Sequence, residues 1–322
     1  MQPGGIQPRP PKPPIRLRSR SAEDAEDYSR AVKGVDIKVI RTGRGDGPTT
    51  VSTVRSGSVV ATSTSIGFPM ASRSTMGDDV VVAACITSAP PGCRWCGIDL
   101  DAGTLLIYGP GAEHTAVNPA GVSFSFAATT QEALAERSEL LGASISPPPR
   151  GQVHVLPPEP RASVLAHSVV GWVEASVAGT RQTHGGDEPL LDAMIGALST
   201  GRRLHRVGAE RRLDSRRIAN VCIEYAQAAG RMPSISEMCL VAHVSERRLR
   251  RAFNEEYETS PASFFRTWGL DRARRVLRSC APIQGTVTRV ALDLGFAHLG
   301  RFSVRYKALY GESPSTTLRS TG

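Results

Sequence analysis

A dense group of arginines stands in the last third of the chain. The group consists of Arg247, Arg248, Arg250 and Arg251, with Asn254 three positions further on. Arginine donates two parallel hydrogen bonds to a phosphate or to the O6 and N7 atoms of guanine, and asparagine can pair in the same way with adenine. The group therefore has the chemistry to bind a polyanion and to distinguish one base pair from another.

The charge of the chain is concentrated in the same region. The formal net charge is +9, from 39 basic and 30 acidic side chains. Residues 206–322 contain 20 of the basic and 11 of the acidic residues, so residues 1–205 are neutral as a whole. A basic segment of this kind favours a polyanionic partner, although a solvated basic face with no partner would have the same composition.

The residues around the arginines have the spacing of two short amphipathic helices. Ser234 and Glu237 form a capping box, the signature of a helix N-terminus. Ser245 is an N-cap type in front of a second helix. The apolar stripes of the two helices are Ile235, Met238, Cys239 and Ala242, then Leu249, Ala252 and Phe253. Two short helices separated by a turn of about three residues predict a helix-turn-helix unit over residues 234–257.

The same pattern recurs further along the chain. Val290 lies 52 positions after Met238, and Phe302 lies 53 positions after Leu249. One inserted residue in the turn explains the change of offset, and a second unit is predicted over residues 286–310. A helix from Ser260 to about Arg278 would separate the units by about 27 Å. Since major-groove faces on one side of DNA repeat every ~34 Å, the pair could occupy two successive groove segments.

Helical geometry indicates which side chains face away from each core. At 100° per residue, the outer face of the first unit carries Arg247, Arg251 and Asn254, with Arg250 beside them, and we predict that these four read bases. Ser245 and Arg248 are placed at the flanking phosphates. The outer face of the second unit has Ser303 and Val304 towards the bases, and His298, Arg301 and Lys307 towards phosphates. Because the second set is poorer in base-reading groups, we predict that the first unit recognises the DNA sequence and that the second mostly holds the protein on the DNA backbone.

The first two thirds of the chain read differently. Residues 1–30 are rich in Pro and charge, which predicts a disordered basic arm. Short Val/Ile/Thr-rich runs between Gly, Pro and Asp clusters then predict strands, as in a sandwich or barrel. These runs are 35–40, 50–54, 58–68, 80–85, 104–108 and 122–127. Helices are expected at 131–141, about 160–178 and 189–199. The resulting domains are 31–205, rich in β-structure with trailing helices, and 206–322, all helical, so the fold class is multi-domain α+β.

The sequence lacks the signatures of several other classes of protein. No run of eighteen or more apolar residues predicts a membrane helix, and the N-terminus has no apolar block of a secretory signal, so a cytoplasmic location is expected. Of the six cysteines, Cys93 and Cys96 form a lone CxxC with no second ligand pair for zinc. We expect these two thiols to be structural, with a redox or metal role as the less favoured alternative.

The C-terminal motifs resemble the AraC/XylS family of bacterial transcription regulators. The resemblance lies in Ser245–Pro261, in Leu270–Ala273 with Leu277, in Val290–Phe296, in Arg301–Ser303 with Tyr306 and Lys307, and in Tyr310–Ser315. It covers about residues 212–320 and implies a seven-helix DNA-binding domain with one recognition helix per half. The stretch Gly295–Ser303 is most similar to the subgroup of ethanolamine-operon regulators. Two positions depart from the family pattern: Glu258 replaces the usual Gly, and Val304 stands where Arg is common.

The N-terminal resemblance is looser. Asp101–Gly111, together with His114, is similar to the cupin-like barrel that many of these regulators use for effector binding or dimerisation. The resemblance implies double-stranded DNA as a partner, a homodimer formed through the N-terminal region and a small-molecule effector. It also makes RNA polymerase a candidate partner. The effector, its binding residues, the operator and the direction of regulation stay open.

Two rival functions stay in view. A cupin-type metalloenzyme with a DNA-binding tail would need a cluster of His and carboxylate ligands, and the strand region offers only His114. We therefore expect no enzyme activity, catalytic residue, metal or cofactor. A non-specific architectural DNA binder is the other rival, and the unequal recognition helices argue against it.

Overall fold

The structure is a computed structural model and describes residues 16–22, 25–32, 36–45, 47–158, 160–177, 187–199, 205–206 and 209–320. The N-terminal part, residues 16–206, contains in chain order β1 (Arg16–Ala22), α1 (Ala25–Ala31), β2 (Asp36–Arg41), β3 (Thr49–Ser56), β4 (Val59–Ser65), β5 (Met70–Thr75), β6 (Val80–Ser88), β7 (Arg94–Trp95), β8 (Ile98–Asp99), β9 (Leu105–Tyr108), β10 (Glu113–Asn118), β11 (Ser123–Thr130), α2 (Gln131–Leu140), β12 (Val153–Leu156), α3 (Pro160–Val177), α4 (Glu188–Leu198) and β13 (His205–Arg206). The C-terminal part, residues 209–320, contains α5 (Ala209–Ala229), α6 (Ile235–Ala242), α7 (Glu246–Tyr257), α8 (Pro261–Ser279), α9 (Thr286–Asp293), α10 (Leu299–Tyr310) and α11 (Pro314–Arg319).

The strands form two antiparallel sheets. The larger sheet has the order β1-β3-β4-β11-β6-β9-β12-β13, and the smaller one has the order β2-β5-β10-β7-β8. Val82 and Tyr108 of the larger sheet share one buried cluster with Met70, Trp95 and Ala116 of the smaller sheet. The sheets therefore pack face to face, as in a β-sandwich.

The central strand β6 explains why the larger sheet is covered on both faces. Val82, Ala84 and Ile86 point towards the smaller sheet, whereas Val81 and Ala83 point to the opposite face. Since successive strand residues alternate between faces, an unbroken apolar run can be satisfied only when both faces are buried. Helices α3 and α4 supply the cover on the second face, and the N-terminal part has three layers.

The helical layer follows the expected periodicity. Leu165, Val169 and Trp172 recur at i, i+4 and i+7 along α3 and pack on the larger sheet together with Met194 and Leu198 of α4. The helices expected at 131–141, 160–178 and 189–199 are confirmed with ends shifted by one residue at most.

The expected cupin-like barrel is not what the structure contains. Closure of a barrel requires ladder hydrogen bonds between all neighbouring strands. Among the described residues the two sheets remain separate, with β1 and β13 at the edges of one and β2 and β8 at the edges of the other. The β-rich part of the prediction is confirmed, and the closed barrel is replaced by an open sandwich.

The prediction of a disordered arm over residues 1–30 is wrong for its second half. Strand β1 pairs with β3 along its whole length, from Arg16 opposite Arg55 to Ala22 opposite Thr49. In α1 the side chain of Tyr28 is buried in the core between the sheets. Pairing with a distant strand stabilises a segment whose own composition is typical of disorder. Residues 1–15 and 23–24 lie outside the described residues.

The C-terminal part consists of two helix pairs on a shared central helix. The first pair, α6 and α7, encloses one apolar cluster, and the second, α9 and α10, encloses another. Helix α8 contributes Phe265 and Trp268 to the first cluster and Leu270 and Leu277 to the second. Its 19 residues span about 28 Å, so one continuous helix fixes the two pairs relative to each other.

Nothing in the described part of the chain has the features of a membrane span. Each helix there is too short or too polar to cross a bilayer.

Candidate DNA-binding surface

The first helix-turn-helix unit is set by local capping. The Ser234 side chain accepts a hydrogen bond from the Glu237 backbone at 3.2 Å, and the Glu237 carboxylate accepts one from the Ser234 backbone at 2.7 Å. His243 ends α6 in the left-handed conformation (φ 53°), which reverses the chain direction. Ser245 then caps α7, as its side chain accepts from the Arg248 backbone N–H at 3.4 Å. The predicted capping box and turn are confirmed.

Helix α7 buries one face and exposes the other. Leu249, Ala252 and Phe253 are fully buried against α5 and α8. The opposite face is solvent-exposed, and it carries Arg247, Arg250, Arg251 and Asn254. The arginine face expected from helical geometry therefore exists as a continuous exposed surface.

Three of the four clustered arginines have carboxylate partners. Arg250 contacts Glu246 at 2.5 Å, Arg251 contacts Glu255 at 2.7 Å, and Arg248 pairs with Asp214 of α5. These carboxylates offset the mutual repulsion that a run of neighbouring arginines would otherwise have. Exposed ion pairs of this kind are worth little, so a phosphate or a base can replace the carboxylate. Arg247 has no carboxylate partner among the described residues, and its guanidinium is open to a ligand.

A second hydrogen bond fixes the charge of one of these partners. The Ser215 hydroxyl donates to the Glu255 carboxylate at 2.5 Å. This hydrogen bond, helped by Arg251, holds the pKa of Glu255 below its ordinary value. Glu255 is therefore ionised over the physiological pH range, and its negative charge stands beside Arg251.

The second unit has the same arrangement of two helices and a turn, but its exposed side chains differ. Gly295 (φ 90°) ends the turn after α9, and α10 buries Phe302 and Tyr306. The His298 side chain at the N-cap makes no capping hydrogen bond, unlike Ser245. The exposed residues include Arg301, Val304, Arg305 and Lys307, and Ser303 is half-buried. Val304 is 70% exposed, so an apolar side chain lies on the outward face where it could meet a thymine methyl group.

The two units enclose a cationic cleft that the sequence patterns do not reveal. The cleft has a volume of about 490 Å³ and is lined by the N-cap residues of both units, Ser234 and His298. Its charged lining residues are Arg231, Arg266, Arg301 and Arg305, with Glu237 as the carboxylate. An excess of cations between two DNA-binding units is the electrostatic requirement of a phosphate strand.

Two of these cleft arginines come from different helices. Arg266 belongs to the shared helix α8 and Arg305 to α10 of the second unit, and no ion pair joins either of them to a carboxylate among the described residues. Burial, followed by the positive charge of Arg305, lowers the pKa of the Arg266 guanidinium. Two guanidinium groups that line one cleft without a carboxylate partner are suited to bind an anion. Sequence reasoning missed both residues because their proximity depends on how α10 packs on α8.

The side chains considered for metal or redox chemistry are buried in the N-terminal part. The His114 ring shares a hydrogen bond with the Tyr108 hydroxyl at 2.7 Å and packs edge-on against Trp95. Burial, followed by the charge of Arg216, lowers the pKa of His114 to about 3, so the imidazole is neutral. The described residues contain no group of three or more His, Cys, Asp or Glu side chains that could hold a metal ion.

Cys93 and Cys96 are also buried. Burial raises the pKa of Cys93 to about 11 and raises that of Cys96 as well. A thiol with a raised pKa is a poor nucleophile and a poor metal ligand. Both side chains belong to the core between the sheets, in line with the structural interpretation.

Comparison with known proteins addresses the C-terminal part. A family model described as a helix-turn-helix domain matches residues 238–320. The XylDLEGF operon transcriptional activator of Pseudomonas putida is 36% identical over 86 residues, which are 27% of each chain. The probable thc operon regulatory protein of Rhodococcus erythropolis is 31% identical over 104 residues, covering 32% of this chain and 31% of that protein.

A solved structure matches the same region. It is a probable AraC family transcriptional regulator from Rhodopseudomonas palustris, with 31% identity over 32% of this chain and 96% of that chain, and a TM-score of 0.30. The chain spans about a quarter of the length of the curated relatives it matches.

These matches confirm the predicted class of domain. The C-terminal part carries a DNA-binding helix-turn-helix domain of the kind found in AraC/XylS-type transcription regulators. The match begins at Met238 inside α6 and ends at Ser320, directly after α11, so it covers the second predicted unit whole and the first except for its initial four residues.

Proposed function

We propose that this chain is a sequence-specific transcription regulator whose two helix-turn-helix units bind successive major-groove segments of double-stranded DNA. The observation that carries the proposal is the exposed arginine face of α7, together with α10 as the equivalent helix of a second unit across a continuous helix of about 28 Å. That length approaches the ~34 Å repeat of the major groove on one side of DNA. The relatives named above are operon activators or regulators, which supports the same function.

The two units would have different roles in binding DNA. In the proposal Arg247, Arg250, Arg251 and Asn254 read bases, and Ser245 and Arg248 contact flanking phosphates. In the second unit Ser303 and Val304 approach base edges. His298, Arg301 and Lys307 contact phosphates. The exposed arginine face of α7 and the apolar Val304 on α10 support this division, because guanidinium groups can identify guanine and a valine can meet only a methyl group.

The cleft between the units would hold the backbone that runs from one groove segment to the next. Arg266 and Arg305 would add phosphate contacts at this point. A phosphate there restores the counter-ion that the two guanidinium groups lack in the free protein, so binding at the cleft adds affinity without sequence information.

The N-terminal part would supply regulation. We propose a domain boundary between β13 and α5, close to the expected division at residues 205 and 206, with the larger N-terminal domain as the site of a small-molecule effector or of homodimer formation. RNA polymerase is a further partner in this proposal. Within the family, the stretch Gly295–Ser303 supports a place in the subgroup of ethanolamine-operon regulators.

Selection of DNA from a random pool tests the proposal. The full chain is mixed with random duplexes at fixed salt, and bound duplexes are amplified through several rounds. A specific regulator enriches one bipartite site whose halves lie about one helical turn apart. Competition with unselected DNA then gives the specificity ratio. An architectural binder would enrich no motif, and that result would overturn the proposal.

A further inference from the structure

The outer face of the smaller sheet packs against the C-terminal part. Ile40 of β2 pairs with Ala71 of β5, which pairs with Val117 of β10, which pairs with Arg94 of β7. Directly paired residues share one face of a sheet. Ile40 and Ala71 belong to the buried cluster of the first helix-turn-helix unit, so this face looks onto that unit. Arg94 therefore points to the C-terminal part, while its neighbour Trp95 points into the sandwich core.

The sheet contacts the first unit at the C-terminal end of its recognition helix. Arg94 forms an ion pair with Glu258, the residue that ends α7. Beside it, Arg216 of α5 lies 3.4 Å from Glu113 of β10 and 3.5 Å from Glu256 of α7. Arg216 and Glu256 are 13% and 5% exposed, so this bridge is shielded from solvent.

Glu258 adopts a conformation that is unfavourable for its residue type. Its φ is +52°, in the left-handed region where a helix normally ends with Gly. A side chain there costs conformational energy, and a non-Gly residue in such a position indicates a function for the side chain. The contact that the Glu258 carboxylate makes is the one with Arg94 of the N-terminal part.

The same sheet contacts the second unit at the C-terminal end of α10. Tyr310, the last residue of α10, lies 53 positions after Tyr257, the last residue of α7. The guanidinium of Arg41, which ends β2, lies 5.2 Å from the centre of the Tyr310 ring. Arg41 also covers the Phe68 ring at 4.4 Å and is 6% exposed, so its position is fixed by the core.

The two contacts are separated by the width of the sheet. Strands β5 and β10 lie between β2, which carries Arg41, and β7, which carries Arg94. Three strand spacings of about 4.8 Å place the two strands about 14 Å apart. One rigid sheet therefore contacts both units at the C-terminal ends of α7 and α10, at Glu258 and Tyr310, which differ by one position in the repeat.

We propose that the smaller sheet is a brace that sets the separation of the two recognition helices, and that Arg94, Glu258 and Arg41 are its positioning residues. Helix α8 connects the two units directly. The brace adds a second connection, which resists rotation of one unit relative to the other about the axis of α8. If the two units bind DNA as proposed above, the brace determines which spacing between the two half-sites is bound. This consequence rests on the proposed function. Because exposed ion pairs are individually weak, the Arg94–Glu258 pair adjusts the separation reversibly.

A distance measurement on the full chain tests the brace without DNA. Leu240 of α6 and Leu292 of α9 lie 52 positions apart, at equivalent and exposed sites of the two units. The chain has six cysteines, so nitroxide labels are attached through p-acetylphenylalanine at positions 240 and 292. Pulsed electron paramagnetic resonance then gives the distribution of distances between the two labels. A narrow distribution is expected for the parent chain.

Glu258→Gly and Arg94→Met are the test variants. Glycine suits φ +52°, so Glu258→Gly removes the carboxylate without straining the end of the helix. Each variant is expected to broaden or shift the distribution. The double variant should match Arg94→Met, because that substitution removes the pair with Glu258 and also the pair of Arg94 with Asp99 at 3.0 Å. Asp78→Asn, which breaks the exposed Arg150–Asp78 pair, is the matched control and should change nothing. Unchanged distributions in both test variants would overturn the brace and leave α8 alone to set the separation.

A second arm uses DNA once a site has been selected. Duplexes with one or two base pairs added between the half-sites are compared with the selected spacing. The ratio of Kd values between wrong and selected spacing should fall about two- to fivefold in Glu258→Gly, the range of one exposed ion pair. A uniform loss of affinity at every spacing would contradict the brace. Failure to select any site would instead contradict the proposed function, and the distance measurement would still decide the brace.

Discussion

The Arg251 guanidinium donates to the Glu255 carboxylate at 2.7 Å, one helical turn further along α7. In the free protein this carboxylate neutralises one of the arginines that are proposed to read bases. The Ser215 hydroxyl keeps Glu255 ionised and in place. The surface is therefore partly self-neutralised before DNA arrives, and DNA has to displace a carboxylate to reach Arg251.

Glu255→Gln is expected to strengthen binding to DNA of any sequence. The amide can still accept the hydrogen bond from Ser215, whereas the negative charge beside Arg251 is lost. Affinity for a random duplex should rise about two- to fivefold at low salt, as for the removal of one exposed ion pair. Fluorescence anisotropy of the full chain with a labelled duplex measures this, and Glu136→Gln on α2 is the matched control. Equal affinity of the parent and Glu255→Gln would contradict the displacement.

Arg305→Ala is expected to remove one phosphate contact in the cleft. The slope of log K against log salt concentration should become shallower by about 1, and affinity should fall for every sequence alike. Titration at four or more salt concentrations measures the slope. Arg161→Ala, an exposed arginine on α3, should leave the slope unchanged. The cleft would lose its assigned role if Arg305→Ala weakened binding to the selected site alone.

Ser234→Ala is expected to destabilise the first unit. The substitution removes the side-chain oxygen that accepts from the Glu237 backbone at 3.2 Å, and such N-cap losses cost about 1 kcal/mol. Urea denaturation of the full chain, followed by circular dichroism, measures the free energy of unfolding of the helical part. Ser236→Ala, at the exposed second residue of the same helix, is the control. A larger loss in the control than in Ser234→Ala would show that the cap does not stabilise α6.

His114 is expected to make stability depend on pH. Burial lowers its pKa in the folded chain to about 3, whereas the unfolded chain titrates near the ordinary value of 6.5. The unfolded state therefore binds a proton that the folded state does not, and stability falls as pH drops below about 6.5, by about 1 kcal/mol per unit. Denaturant midpoints between pH 7.5 and 4.5 follow this loss. In His114→Gln the pH dependence should be shallower, and an unchanged profile would contradict the assignment to His114.

The helix-turn-helix units could be predicted because their signals are local. Ser234 and Glu237 lie three residues apart, and the stripe from Leu249 to Phe253 lies within two turns. Their capping, turn and buried faces are confirmed. The ion-pair partners of the arginines could be predicted only in part, because Asp214, the partner of Arg248, lies on another helix.

The N-terminal sheets were predicted less completely because their signals depend on distant strands. Strand β5 was missed, since two of its three inward residues, Ser72 and Ser74, are polar and hide the apolar alternation that begins at Met70. Strand β1 follows a Pro-rich segment and gains its order from β3. Closure of a barrel is likewise a property of the strand order, which local patterns do not contain. The cleft pair of Arg266 and Arg305 was missed for the same reason.

The base-reading role of the first unit is the central claim, and its test compares two duplexes and two variants. The full chain is titrated with the selected duplex and with a scrambled duplex of equal length at the same salt. Arg247→Ala should weaken binding to the selected duplex by about five- to hundredfold, the range of one bidentate base contact, and barely change binding to the scrambled one. Arg301→Ala should weaken both duplexes equally. If Arg247→Ala also weakened both equally, and by no more than Arg301→Ala, the first unit would not be the one that reads the sequence.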